Sequence, residues 1–295
     1  MIEFDIAVAE ERGFAGLVFR LQDNENFEHF YVRPHQSGKA DANQYTPVIN
    51  DDSAWQLYHG PEYSTPTEYR FNEWMHIKMI IAGSQALVYI DSEEPVLHVR
   101  ELKRDTRGGG IGVQSANFSA VHFANFQYTQ LANAYDLAPV DAPVSDVPMG
   151  MITSWLVSDT FDSSILEGVV QLGDIHTADR SWTELQAEPS GITNLAAAAA
   201  LRQGSNTVFA RIVLEADSPS KKFLTFGYSD AAAVYVNGTL VYAGDNTYMS
   251  RDYRYLGTMG LFDSVVLPLQ AGDNEVWIAV SEAFGGWGVM GKVSD

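Results

Sequence analysis

The sequence predicts an all-β protein made of two β-sandwiches, with one short helix in the second. Three observations carry this. Short runs rich in Val, Ile, Phe and Tyr recur along the chain, punctuated by Gly, Asp, Asn, Ser and Pro. Residues alternate within the runs, as a pleated strand requires. A stretch of different composition, residues 131–150, separates two sets of such runs.

In the first set, IEFDIAV, GLVFRL, HFYVRP, HIKMIIA, ALVYID, GIGVQ and VHFANFQYT are the candidate strands. Ala82-Gly83-Ser84 predicts a tight hairpin, and Gly108-Gly109-Gly110 marks another turn. In GLVFRLQD, Leu17 and Phe19 point one way, and Val18 and Arg20 the other. The spacer LANAYDLAPVDAPVSDVPMG carries three prolines and no apolar period, which predicts a stiff extended linker. The expected domains are therefore 1–130 and 151–295, with 131–150 between them.

In the second set, the strands fall at ITSWLVS, NTVFARIVLEA, KKFLTFGYS, AAVYVNG, TLVYAG, SVVLPLQ and NEVWIAV. Asn237-Gly238 is a strong hairpin turn, because both residues tolerate positive φ. The Ala run between Leu195 and Leu201 predicts the short helix, stopped near Gly204. The pattern is that of a jelly-roll sandwich.

Composition narrows the partners. The 295 residues carry a net charge of −20, with −8 on residues 1–135 and −12 on residues 136–295. Acidity spread over both halves disfavours nucleic acid, which needs a basic stripe, and anionic membrane surfaces. Neutral ligands and divalent cations remain open. There is no cysteine, which excludes disulfides, thiolate metal sites and a Cys nucleophile. No stretch approaches the roughly 18 apolar residues of a membrane span. The start, MIEFDIAVAEERG, lacks the basic and apolar regions of a signal peptide and reads as mid-strand. An upstream segment, with a first strand and any export signal, is accordingly expected to be missing.

Two resemblances rest on specific residues. FAGLVFR (14–20), FYVRPHQSG (30–38), QYTPV (44–48), WQLY (55–58), NEWMHIK (72–78) and Val88-Tyr89 resemble the pattern of a mostly uncharacterised bacterial family within the laminin-G/concanavalin A-like jelly rolls. FGYSDAAAVYVNG (226–238), VYAGDN (241–246), LPLQAGDNEVWIAV (267–280) and FGGWG (284–288) resemble the galactose-binding-like jelly roll found as a sugar-binding domain beside many glycosidases. The first implies a two-sheet sandwich in a superfamily of lectins, glycanases and adhesion modules. The second implies sugar binding and a structural calcium ion, for which Asp159 and Asp162 are the candidate ligands. Together they imply an exported or cell-surface setting.

Catalytic patterns find little support. Glu3 and Asp5 form the start of an acid series on one strand, like that of a glucanase family of this fold. The third acid should fall at Ala7 or Val8, and neither donates a proton. There is no G-x-S-x-G elbow, no zinc-binding His pattern and no phosphate loop.

Binding is the stronger expectation. Arg20, Tyr31, Arg33, His35, Gln44, Trp55, Gln56 and Tyr58 are the candidates in the first half, as a polar face backed by aromatics. Tyr31, Arg33 and His35 share that face if their strand continues through Pro34. The structural alternative is that Arg33 and His35 pin the polar loop from within and that Trp55 and Tyr58 are core. In the second half, GDNTYMSRDYRYLG (244–257) offers Tyr248, Arg251, Asp252, Tyr253 and Arg254, and FGGWG brings Trp287 to the same end. There the alternative is an Arg251–Asp252 pair, with Trp287 capping the core. The expected function is non-catalytic recognition of a glycan or glycosylated surface, accessory to a polysaccharide-processing enzyme. A glycoside hydrolase or lyase, and a purely structural protein, stay open as alternatives.

Overall fold

A computed structural model of the chain describes residues 1–116, 118–131, 147–252 and 256–295. Most of the expected linker, and the candidates Tyr253 and Arg254, lie outside the described residues. The protein is all-β. Two compact units divide the chain: Met1–Val48 with Tyr58–Val144, and Ile49–Leu57 with Ser145–Asp295. The segment Ile49–Leu57 thus groups with the second unit, which no feature of the sequence announced.

The first unit contains β1 (Ile2–Val8), β2 (Ala15–Asp23), β3 (Asn26–Val32), β4 (Asn43–Ile49), β6 (Met75–Ala82), β7 (Gln85–Ile90), β8 (Leu97–Val99), β9 (Gly110–Ser115) and β10 (Val121–Tyr128); a two-residue strand, β5 (Asp52–Ser53), lies in the segment that groups with the second unit. One sheet runs β10-β1-β6-β7-β8, and the other β4-β3-β2-β9. Alternation decides which side chains meet. Ile2, Phe4, Ile6 and Val8 of β1 and Met75, Ile77 and Met79 of β6 enter one core with Leu17, Phe19, Phe30, Val32 and Tyr45 of the facing sheet. Each large side chain so buried contributes about 1.5–3 kcal/mol. Val18 points outward with Phe27 and Val48 into a small separate cluster. Gly83, at φ +54°, turns the β6–β7 hairpin, which pairs Ala82 with Gln85.

The second unit contains β11 (Ser154–Ser158), β12 (Trp182–Gln186), β13 (Thr193–Asn194), β14 (Thr207–Ala216), β15 (Ser220–Ser229), β16 (Ala231–Val236), β17 (Thr239–Asp245), β18 (Asp263–Leu269), β19 (Gly272–Ser281) and β20 (Gly288–Ser294). A sheet of order β12-β11-β14-β19-β16-β17 faces one of order β13-β20-β15-β18. Between them lies a core that includes Trp155, Val157, Leu224, Phe226, Tyr228, Val234, Ile278, Val280 and Trp287. Asn237 and Gly238, at φ +48° and +81°, turn the β16–β17 hairpin.

The Ala run does not form the expected helix. It makes a 3-10 turn over Leu195–Ala197, capped by the Asn194 side chain, which accepts from Ala196 N at 3.0 Å. Propensity without length is too weak, because helices shorter than about 12–15 residues are marginal on their own. The Leu195 N–H is committed instead to the Trp287 carbonyl at 2.9 Å. Among the described residues the α-helix is a single turn, α1 (Asp174–Thr177), and no helix is long and apolar enough to cross a membrane.

Candidate functional site

Three segments meet at one rim of the second unit: Ile49–Leu57, the stretch after β17, and the loop between β19 and β20. Gln56 ties them together. Its backbone N–H donates to Gly285 O at 2.9 Å, and its carbonyl accepts from Met259 N at 2.9 Å. Its side-chain amide donates to Leu256 O at 2.6 Å, while its Oε1 accepts from Ser229 Oγ at 3.1 Å. Such packing needs glycine opposite it. A Cβ at Gly285 would come within 2.5 Å of the Gln56 side chain, and one at Gly286 within 2.8 Å of the Ala54 backbone.

On this base stand three aromatic rings. Trp55 and Phe284 have centroids 5.8 Å apart, Tyr248 and Phe284 6.1 Å, and Trp55 and Tyr248 6.5 Å, all edge-to-face. Edge-to-face contact is one of the two geometries that ring pairs prefer. Phe284 is 56% exposed, and Trp55 and Tyr248 are half-buried. Tyr248 sits just past a turn in which Asp245 Oδ1 accepts from Thr247 N at 2.8 Å. Farther along this stretch Arg251 pairs with Asp263 at 2.5 Å, where an Asp252 partner was the structural expectation. Asp252 is exposed.

Three buried carboxyl groups accept from the backbone of the loop that carries Phe284. Asp230 Oδ2 accepts from Ala283 N at 2.8 Å and Phe284 N at 2.7 Å. Glu282 Oε1 accepts from Gly286 N at 3.2 Å, and Asp52 Oδ2 from Trp287 N at 2.9 Å. Burial, then the charges of Asp52 and Asp230, push Glu282 up to about 9. Burial pushes Asp52 up to about 6, against the pull of the Trp287 N–H. Asp230 is also raised by burial, opposed by the Phe284 and Ala283 N–H groups.

The other expected residues sit elsewhere. Trp287 is buried, its Nε1 donating to Val280 O at 3.0 Å, so it belongs to the core. Gln56 is equally buried and acts as a tie. In the first unit Arg33 is buried and donates to Gln44 Oε1 at 2.7 Å and Tyr31 Oη at 3.1 Å, with Asp41 at 3.5 Å. Gln44 in turn donates to Tyr58 O at 2.6 Å. Tyr31, Arg33, Gln44 and Tyr58 therefore form an internal network that orders the polar loop, and none of them presents an open face. His35 leaves the Tyr31–Arg33 face because β3 ends at Val32. Pro34, without an N–H, opens a 3-10 turn over Pro34–Gln36. His35 accepts from Gly13 N at 3.4 Å beside Phe14. Arg20 is held by the Gly83 carbonyl.

The calcium implied by the second resemblance does not fit at Asp159 and Asp162. Asp159 accepts from Ser181 N and faces Arg180 at 3.9 Å. Asp162 caps a 3-10 turn by accepting from Ser164 N at 2.9 Å. Among the described residues no group of three or more His, Cys, Asp or Glu is placed to hold a metal ion.

Glu3 and Asp5 flank His76 on the open face of the first sheet, at 3.6 and 2.8 Å, beside a hollow of about 420 Å³ lined also by Lys78, Tyr89 and Asp91. Hydrogen bonds from Asn125 and His76 hold Asp5 below its ordinary value, the opposite of what a general acid needs.

Sequence reasoning missed Phe284, Asp52, Asp230 and Glu282. Phe284 was within reach, as the first residue of FGGWG. The three acids carry no local pattern and come together only through the fold.

No protein-family model matches the chain, and no curated protein matches it in sequence. Among solved structures it is similar to a carbohydrate-binding module, CBM66, from Bacillus subtilis, at 20% identity over 42% of this chain and 71% of that one, with a TM-score of 0.33. A family 35 carbohydrate-binding module from Clostridium thermocellum matches at 16% identity over 48% and 88%, with a TM-score of 0.23. A lectin from Pleurotus ostreatus, in complex with GalNAc, matches at 12% identity over 99% and 71%, with a TM-score of 0.24. Scores this low lie beneath the level at which likeness of shape bears on function.

Proposed function

We propose that the second unit recognises a neutral glycan on the rim formed by Trp55, Tyr248 and Phe284. The single observation that carries this reading is the mutual edge-to-face cluster of three partly exposed rings on a tightly bonded base. A pyranose presents an apolar C–H face that stacks on an aromatic ring, and a few placed polar groups then fix its orientation. Arg251, paired with Asp263, and the exposed Asp252 follow Tyr248 on the same stretch and are of the polar types that hydroxyl groups would meet. A net charge of −20 argues for a neutral rather than an anionic polysaccharide.

In its fuller form the proposal keeps both resemblances. A laminin-G-like sandwich precedes a galactose-binding-like one, with the boundary in 131–150, and the pair serves as a non-catalytic accessory to a polysaccharide-processing enzyme. Binding is favoured over glycoside hydrolysis by the state of the acids. Glu28, Asp52, Asp230 and Glu282 are carboxyl groups pushed upward. All four are buried and bonded within the protein, where a general acid would have to reach a substrate oxygen.

Affinity electrophoresis in gels containing galactomannan, xylan, β-glucan or arabinogalactan tests the reading. The protein is expected to be retarded by at least one, and Trp55→Ala to abolish that retardation. Unchanged migration of the unsubstituted protein in all four would remove the support for a neutral glycan.

A further inference from the structure

We propose that Asp52, Asp230 and Glu282 form a proton-controlled clasp on the loop Ala283–Trp287, holding Phe284 in the aromatic rim while Glu282 is protonated and releasing it when Glu282 ionises. The inference deepens the sugar-binding reading, on which its functional consequence rests; the clasp itself stands on the loop's own geometry.

That geometry is unusual in its completeness. Of the five successive N–H groups from Ala283 to Trp287, four donate to these carboxyl groups: Ala283 and Phe284 to Asp230, Gly286 to Glu282, and Trp287 to Asp52. Gly285 contributes its carbonyl, which accepts from Gln56 N at 2.9 Å. Asp52 and Asp230 come from distant parts of the chain, while Glu282 immediately precedes the loop and bonds back to it four residues on. Gly285 and Gly286, at φ +106° and +134°, give the backbone the freedom to turn its N–H groups inward.

The same arrangement makes the grip depend on protons. Each of the three residues is more than nine-tenths buried. The charges acting on Glu282 are Asp52 and Asp230; those acting on Asp52 are Asp230 and Asp51; Asp245 acts on Asp230. All are negative. The neighbouring polar side chains are neutral: Ser229 Oγ donates to Gln56 Oε1 at 3.1 Å and to Asp230 Oδ1 at 3.4 Å, and Asn246 donates its backbone N–H to Asp230 O at 2.7 Å. Two buried side-chain oxygens here, Glu282 Oε2 and Asn246 Oδ1, have no hydrogen-bond partner. Burying a third unpaired negative charge beside two others is costly. A protonated Glu282 avoids this cost and still accepts from Gly286 N through Oε1. Loss of the proton is relieved when water enters and the loop lifts. Phe284, between Asp230 below and Trp55 and Tyr248 at the rim, is the residue most directly displaced.

Glu282 is thus a positioning residue for the rim, and its effect is read first without any sugar. In ¹⁵N NMR of the full chain, the amides of Ala283, Phe284, Gly286 and Trp287 and the Trp55 indole are expected to move together in one transition near about pH 9. Glu282→Gln, which mimics the protonated side chain, should abolish the transition while leaving these signals at their neutral-pH positions. Asp230→Asn should shift the transition to lower pH by removing one of the opposing charges. The same pH series in the four polysaccharide gels should show affinity falling through the transition by a factor of about 5 to 150, the range usual for coupled sites. Loop signals that stay fixed across the range, or that move equally in Glu282→Gln, overturn the clasp even if sugar is bound. A titrating loop with no retardation at any pH upholds the clasp and instead counts against the sugar reading.

Discussion

The Gln56 side-chain amide donates to the Leu256 carbonyl at 2.6 Å, linking residues 200 positions apart in sequence. The same side chain accepts from Ser229 Oγ, and its backbone bonds Gly285 and Met259. Gln56→Ala would leave the partly buried Leu256 carbonyl without this partner, and the buried Ser229 hydroxyl with only its 3.4 Å bond to Asp230 Oδ1; a buried polar group that loses its partner costs about 1–3 kcal/mol. The expected loss is about 2–4 kcal/mol in urea unfolding of the full protein. A loss indistinguishable from that of an exposed substitution would mean that Gln56 does not organise the rim.

Arg33 separates structure from binding in the first unit. Its guanidinium bonds Gln44 and Tyr31 inside the protein and lies over the Tyr31 ring at 5.3 Å. Arg33→Ala should destabilise the chain by about 2–3 kcal/mol, since hydrogen bonds to charged groups are worth about 1.5–3. Retardation by polysaccharide, measured well below the new unfolding temperature, should be unchanged. Loss of sugar binding in a folded Arg33→Ala protein would return the site to the first unit.

The pH dependence of stability has a definite sign. Glu282 is raised from the ordinary carboxyl value of 4.5 to about 9 in the folded protein. Between those values the folded state binds more protons than the unfolded one. Its contribution is therefore fully present below about pH 4.5 and is lost as pH rises through about 9. Asp52, raised to about 6, acts in the same direction over a lower window. Urea midpoints should fall from neutral to alkaline pH, and Glu282→Gln should flatten the decline. A midpoint that rose with pH over this interval would reverse the assignment.

Gly286 tests the backbone beneath Phe284. Its φ of +134° is open essentially to glycine, and a Cβ there would lie 2.8 Å from the Ala54 Cα. Gly286→Ala should cost about 1–3 kcal/mol, as other residues forced into sparsely populated backbone regions do. An alanine variant as stable as the parent protein would show that the loop has room to shift.

Strands with strong alternation were legible from sequence. In IEFDIAV the apolar positions Ile2, Phe4, Ile6 and Val8 all enter the core, and in HIKMIIA the alternation places Ile77 and Met79 inward. Strands β4, β12 and β20 were less legible. Pro47 disguises β4, TELQ in β12 is mostly exposed, and GVMGKVS in β20 is interrupted by glycine. The Ala run misled because propensity was weighed without length. At the site, Trp55 and Tyr248 could be named from loop position and residue type. Their meeting with Phe284 could not, because it depends on Ile49–Leu57 joining a body whose remaining residues begin almost a hundred positions later. The buried acids were invisible for the same reason, since nothing near Asp52, Asp230 or Glu282 in sequence signals that they share one interior.

The most direct test of the rim is chemical-shift mapping with neutral manno-, xylo- and gluco-oligosaccharides added to the ¹⁵N-labelled protein at neutral pH. Binding on the aromatic cluster predicts that the largest shifts fall on the Trp55 indole and on the backbone of Tyr248 and Phe284, with Tyr31, Arg33 and Gln44 unmoved. Shifts concentrated on the Glu3–His76 face of the first unit, or no shifts with any of the three series, would contradict it.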